Sequence, residues 1–141
     1  MSDTVVDSSI VAKWILPESD SAHAERIVAD VTMRGDRLIV LDLAFVEVTN
    51  AIWKRCHRGL ISLQEAFDFL DDLSRSPVRD EPANRLLKQA MEIAVKYDRA
   101  VYDALFVALC EDLRLPGVTA DEPLYNAIHP DFPRIVLLRD W

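Results

Sequence analysis

Four carboxylates in this chain stand where a charge has to be accounted for. Asp7 follows the apolar pair Val5 and Val6 and precedes Ser8 and Ser9, within TVVDSSIVAKWILPE. Asp121 repeats that arrangement at the end of GVTAD, where Thr119 and Ala120 come before the acid. Glu47 sits inside the apolar stretch FVEVTNAIW, and Asp103 opens DALFVALC. Singly, each has an ordinary explanation as a helix cap, a partner for a helix dipole or a turn residue. That explanation is weakest for Glu47, because Phe45, Val46 and Val48 imply partial burial, although a salt bridge would satisfy it.

Taken together, the acids point to chemistry. If carboxylates converge within ~4 Å, each like-charge pair costs on the order of 4 kcal/mol at an effective dielectric of about 20. Protons or a cation must then compensate. An all-oxygen set without His or Cys suits Mg²⁺, with Mn²⁺ as the alternative, rather than zinc or copper. Such a cation binds phosphate oxygens, polarises phosphorus and lowers the pKa of a bound water, the equipment for phosphodiester hydrolysis.

Supporting groups lie close by in sequence. The hydroxyls of Ser8 and Thr119 and the amide of Asn50, one helical turn from Glu47, suit hydrogen bonds to a ligand or to metal-bound water. Capping or core hydrogen bonding is their equally ordinary role. WKRCHRG puts Lys54, Arg55 and Arg58 after the Glu47 segment, the densest basic patch and a candidate contact for RNA phosphates. The same residues also complement a helix C-terminus. His23, His57 and His129 are scattered and suggest no general base. Trp14, Ile15 and Leu16, with Phe67, Phe69 and Leu70, read as core before they read as a partner surface.

The elements that must position these groups alternate. TVV, RLIVL, PVR, GVTA and RIVLL are short strand candidates, separated by helix-length segments. SSIVAKWIL forms the first helix and DSAHAERIVADVTMRG the second, with Gly35 as its stop. In DLAFVEVTNAIWKRCHRG, Leu43, Val46, Asn50 and Trp53 fall at helical spacing and Asp42 suits the N-cap. Ser62 and Glu65 make a capping-box pattern ahead of the next helix. Pro82 opens a helix through ANRLLKQAMEIAVKY, YDALFVALCEDL is a strongly apolar one, and EPLYNAI is short. Strands separated by helices predict a three-layer α/β/α sandwich with a mainly parallel central sheet, because parallel neighbours need crossovers. Ligand sites of such sheets collect outside the carboxyl ends of the strands, where Asp7 and Asp121 belong.

Composition bounds the function. Half of the 141 residues are hydrophobic, enough for the core of a single domain over residues 1–141. The formal net charge of -8 repels polyanions, so nucleic-acid chemistry must rest on a local patch or a bound cation. Cys56 and Cys110 have neither disulfide-framework nor zinc spacing and read as a reduced pair. The start lacks a basic, apolar leader and no long apolar run occurs, so a cytoplasmic protein without a membrane span is expected.

The blocks VVDSSIVAKWILPE, FVEVTNAIWKRCHRGLIS, YDRAVYDALFVALCEDL and GVTADEPL resemble, in order and spacing, those of PIN-domain ribonucleases of the VapC toxin type. The resemblance covers nearly the whole chain. It implies that Asp7, Glu47, Asp103 and Asp121 form a magnesium pocket with Asp7 and Asp103 as direct ligands, and that Ser8, Asn50 and Thr119 are the family's supporting polar residues. It further implies an Mg²⁺-dependent endoribonuclease, frequent homodimers, and inhibition by a cognate antitoxin lying across the site. Leu41, where relatives commonly carry Pro, and Pro116–Gly117 ahead of the last block depart from the pattern without touching a proposed ligand. Two other classes compete. One is a noncatalytic interaction module whose acidic pocket receives a basic partner segment. The other, a phospho-accepting receiver-like domain, lacks the Lys expected after a late strand.

Overall fold

A computed structural model describes residues 2–141. The described residues form five strands: β1 (Thr4–Val6), β2 (Leu38–Leu41), β3 (Val78–Glu81), β4 (Gly117–Thr119) and β5 (Ile135–Leu137). Helices α1 (Ser8–Ile15) and α2 (Ser21–Met33) link β1 to β2, and α3 (Leu43–His57) and α4 (Leu63–Ser74) link β2 to β3. A 3-10 turn (Asn84–Leu86), α5 (Leu87–Tyr97) and α6 (Val101–Leu113) lead to β4, and α7 (Glu122–Ile128) leads to β5. The sheet has the order β3-β2-β1-β4-β5 and every pairing is parallel. The three-layer α/β/α expectation is met, with both faces covered by helices.

Period-two alternation sorts the strands between two cores. Val5, Ile39, Leu41 and Ile135 pack with α5, α6 and α7 on one face. Val6, Leu38, Val40 and Val118 pack with α1 to α4 on the other. Strands covered on both sides read as unbroken apolar runs, as RLIVL does. β3, at the edge, carries the charged sequence VRDE, which blunts further strand pairing. Helix α6 is buried without interruption from Ala104 to Cys110, so it has no solvent face over that stretch.

Two local features set where the site falls. The chain runs from β1 to β2 and β3 on one side, then returns to place β4 on the opposite side of β1. The crevice beyond β1 and β4 is therefore the switch point at which doubly wound sheets hold ligands. In addition, Gly117 permits β4 to lie close against α6, since a Cβ there would come within 2.5 Å of Cys110 Sγ and 3.1 Å of Phe106 Cζ.

Two expectations about α3 are corrected. Its core face is Ala44, Val48 and Ile52, whereas Val46 and Trp53 are 66% and 55% exposed and Asn50 is exposed as well. The helix carries two apolar stripes, and packing against α1 selected the one with smaller residues. Asp42 makes no side-chain cap. Its Oδ1 accepts instead from the backbone N–H of Ala83 at 3.2 Å, tying the end of β2 to the segment after β3. The capping box of α4 forms as expected, with Ser62 and Glu65 each bonding the other's backbone N–H.

Candidate active site

Asp7 lies directly beyond β1 and caps α1. Its Oδ1 accepts from the backbone N–H groups of Ser9 (3.1 Å) and Ile10 (3.3 Å) and from the Ser9 hydroxyl, while its Oδ2 accepts from the Thr119 hydroxyl at the end of β4. Ser9 Oγ also accepts from the N–H of Ala120 at 3.0 Å, and Thr119 Oγ1 accepts from the N–H of Asp121 at 3.0 Å. The ends of β1 and β4 are thus stitched together through one carboxylate and two hydroxyls. Asp121 repeats the capping geometry on α7, its Oδ1 accepting from Leu124 N–H at 3.1 Å.

Asp7, Glu47, Asp103 and Asp121 line one cavity of about 160 Å³, together with Ser8, Ser9 and Tyr102. The four acids singled out in the sequence are brought together from four different elements. Burial pushes the Asp7 carboxyl up to about 6, against the hydrogen bonds from Ser9, Thr119 and Ile10, with the Asp121 charge adding to the rise. Glu47 is an exposed residue at the open side of the cavity, where it meets the Ser8 hydroxyl. Its pKa is raised first by desolvation and then by the charges of Asp7 and Asp103, with the Ser8 hydroxyl opposing. Asp103 meets Arg99, whose Nη2 reaches from the segment before α6 to stand 3.3 Å from Asp103 Oδ2.

The polar residues divide. Ser8 serves Glu47, and the hydroxyl that holds Asp7 belongs to Ser9, where the sequence pointed to Ser8. The DSS run carries the missed signal, since a residue two past an N-cap is placed to bond it. Arg99 was also missed, because it stands in the segment before α6, outside the helix whose spacing would pair it with Asp103. Thr119 braces Asp7 from outside the cavity lining. Asn50 and Lys54 share an adjoining groove with Ser8 and Glu47. Arg55 turns away to Glu18, at 3.6 Å, and Arg58 caps the exposed C-terminus of α3. His57 stacks on Trp53 and His129 on Tyr125, each pair 4.9 Å between ring centroids, so neither lies at the acids.

The donor set suits a hard divalent cation. It is all oxygen, and the raised pKa values of Asp7 and Glu47, each pushed up in part by a neighbouring carboxylate, favour a counter-charge. Among the described residues, no three acidic, His or Cys side chains already close around one ion-sized point. The hydrogen bonds explain this: Asp7 spends both oxygens on protein donors, Asp103 one on Arg99 and Asp121 one on the start of α7.

A parallel doubly wound sheet with this acid cluster at its switch point is the arrangement of a known class, and the PIN domain profile matches residues 4–128. The chain belongs to the PIN domain family. It is 37% identical over 134 residues to Ribonuclease VapC3 of Pyrobaculum aerophilum, covering 94% of this chain and 96% of that protein. Two solved structures share the fold at lower identity. Mycobacterium tuberculosis VapC20, described as a sarcin-ricin loop cleaving toxin, matches with a TM-score of 0.66 at 19% identity, over 88% of this chain and 94% of that one. A toxin-antitoxin complex from Klebsiella pneumoniae matches with a TM-score of 0.65 at 12% identity, over 96% of this chain and 97% of that one. The VapC-type resemblance carried by the four sequence blocks stands.

Proposed function

We propose that this protein is a divalent-metal-dependent endoribonuclease, the toxin of a toxin-antitoxin pair. The observation that carries the reading is the convergence of four carboxylates from four elements on one cavity at the β1–β4 switch point, with Asp7 held at a raised pKa. Its likeness to Ribonuclease VapC3 supports the reaction class.

Asp7 and Asp103 would hold the cation, Mg²⁺ or Mn²⁺, and Glu47 and Asp121 would complete the pocket. A bound cation of this kind supplies Lewis-acid polarisation of the phosphoryl group and acidifies its water. Ser9 and Thr119 fix the plane of the Asp7 carboxylate at the mouth of β1 and β4. Glu47, on the open side and with its pKa raised, is placed to take up or return a proton as the phosphodiester is cleaved. Among the described residues no histidine lines the cavity, so proton traffic falls to the carboxylates.

The finer reading follows the same supports. Lys54, beside the cavity in the Asn50 groove, is the basic residue of the three placed to meet RNA, with Arg58 farther along α3. A cognate antitoxin neutralises the activity in the cytoplasm, in keeping with the complex that shares this fold. Among the described residues no helix is long and apolar enough to cross a membrane. A homodimer forms over the exposed stripe Leu87, Met91 and Val95 of α5, three apolar residues at helical spacing.

The test is cleavage of a structured RNA pool by purified, antitoxin-free protein with Mg²⁺, with EDTA, and as the Asp103→Asn variant. Cleavage lost in both controls is expected. Cleavage that persists in either would overturn the assignment. No cleavage and no Mn²⁺ binding by the wild type would instead make the pocket a docking site for a basic segment.

A further inference from the structure

The acid cavity, at about 160 Å³, is far smaller than the open hollows beside it, and its carboxylate lining suits a cation and a phosphate group rather than the nucleobases the phosphate joins. Those bases must lie in what adjoins the cavity. Two open grooves do so. One, of about 490 Å³, is lined by Val46, Glu47, Asn50 and Lys54; the other, of about 540 Å³, by Leu43, Asn84, Leu87 and Leu105.

Among the described residues, Tyr102 is the one side chain that lines the cavity and both grooves. It stands next to Asp103 in the first turn of α6 and is 64% exposed. The fold makes little use of it, since the buried run of α6 begins two residues later at Ala104. A large aromatic ring left in solvent at the mouth of an anion-handling site offers a face to any unpaired base, because every base has a π-face. Lys54 on one of the same grooves supplies a cation for a neighbouring phosphate.

We propose that Tyr102 is the nucleobase platform of this site, stacking an unpaired base next to the phosphate held in the acid cavity. The substrate class is therefore RNA whose scissile nucleotide is unstacked, in a loop or a single strand. The inference rests on the ribonuclease reading above. Tyr102 acts in substrate binding and selection and leaves cation binding to the acids.

The experiment compares wild type, Tyr102→Phe and Tyr102→Ala on a randomised single-stranded RNA pool. KM, kcat and the cut-site profile are read, with Mn²⁺ binding by calorimetry and oligomeric state by sedimentation. The Ala variant is expected to raise KM roughly tenfold with kcat within about threefold, and to flatten the preference at the nucleotide flanking the cut. The Phe variant, which keeps the ring, retains KM to within about threefold, and Mn²⁺ affinity does not follow the loss of the ring. An active wild type with an indifferent Ala variant would overturn this inference alone. A KM change that accompanies dissociation of a dimer would overturn it too, assigning the face to a second copy of the chain. A wild type that binds Mn²⁺ and cuts no RNA would remove the ribonuclease reading, and the platform with it.

Discussion

Asp7 is pulled in two directions. Its site desolvates the charge while Ser9, Thr119 and the start of α1 stabilise it, and desolvation wins, leaving the carboxyl at about 6 against an ordinary 3.8. Because the folded pKa lies above the unfolded one, the cation-free protein is less stable above about pH 6, and that penalty is relieved as pH falls towards 3.8. Asp7→Asn removes the penalty. With EDTA at neutral pH it is expected to gain about 1–3 kcal/mol in denaturant unfolding while cleavage falls at least about a hundredfold. An Asn variant no more stable than wild type at neutral pH would contradict the burial argument. Thr119→Val removes a donor that lowers the Asp7 pKa, so the acid limb of Mn²⁺ binding, set by proton competition, moves to higher pH. A limb that stays in place or moves down would show that Thr119 does not act on Asp7.

At the scale of elements, the site depends on how closely β4 and α6 approach. β4 ends in Thr119 and leads to Asp121, and α6 carries Asp103 in its first turn, so their separation sets the width of the cavity. Gly117 is what permits the approach, since a Cβ there would collide with Cys110 and Phe106. Gly117→Ala is expected to cost about 1–3 kcal/mol in unfolding and to weaken Mn²⁺ binding, because relief of the clash moves strand and helix apart. Unchanged Mn²⁺ affinity in a destabilised variant would show that the strain is absorbed elsewhere. Ser62→Ala, at the capping box of α4, gives the contrast: about 1 kcal/mol lost with metal binding retained.

The whole molecule carries a net charge of -8, yet its proposed substrate is a polyanion. Long-range attraction therefore contributes nothing to encounter, and binding rests on the cation and on short-range contacts around the cavity. The other whole-molecule property is the apolar stripe of α5, with Leu87, Met91 and Val95 at 50%, 55% and 76% exposure. The charged double variant Met91→Glu and Val95→Glu is expected to leave the monomer folded, since neither side chain is core, and to shift sedimentation from dimer to monomer. Sedimentation that does not change between wild type and variant would remove this face as the dimer surface.

The sequence by itself determined the repeated strand-to-acid units at Asp7 and Asp121, the alternation that demands a parallel sheet, the capping box at Ser62 and the four acids of the cavity. These are local patterns, readable because a strand end, a cap or a lone acid in an apolar helix leaves its mark within a few residues. Only the tertiary structure decided that Ser9 rather than Ser8 holds Asp7, that Arg55 turns to Glu18 while Lys54 stays by the acids, and that Val46 and Trp53 face outward. Tyr102 owes its place at the junction of three hollows to the same cause. A helix with apolar residues on two stripes does not encode which one is buried. That choice is made by contacts between elements far apart in the chain, where the rotation of each helix is fixed by its neighbours.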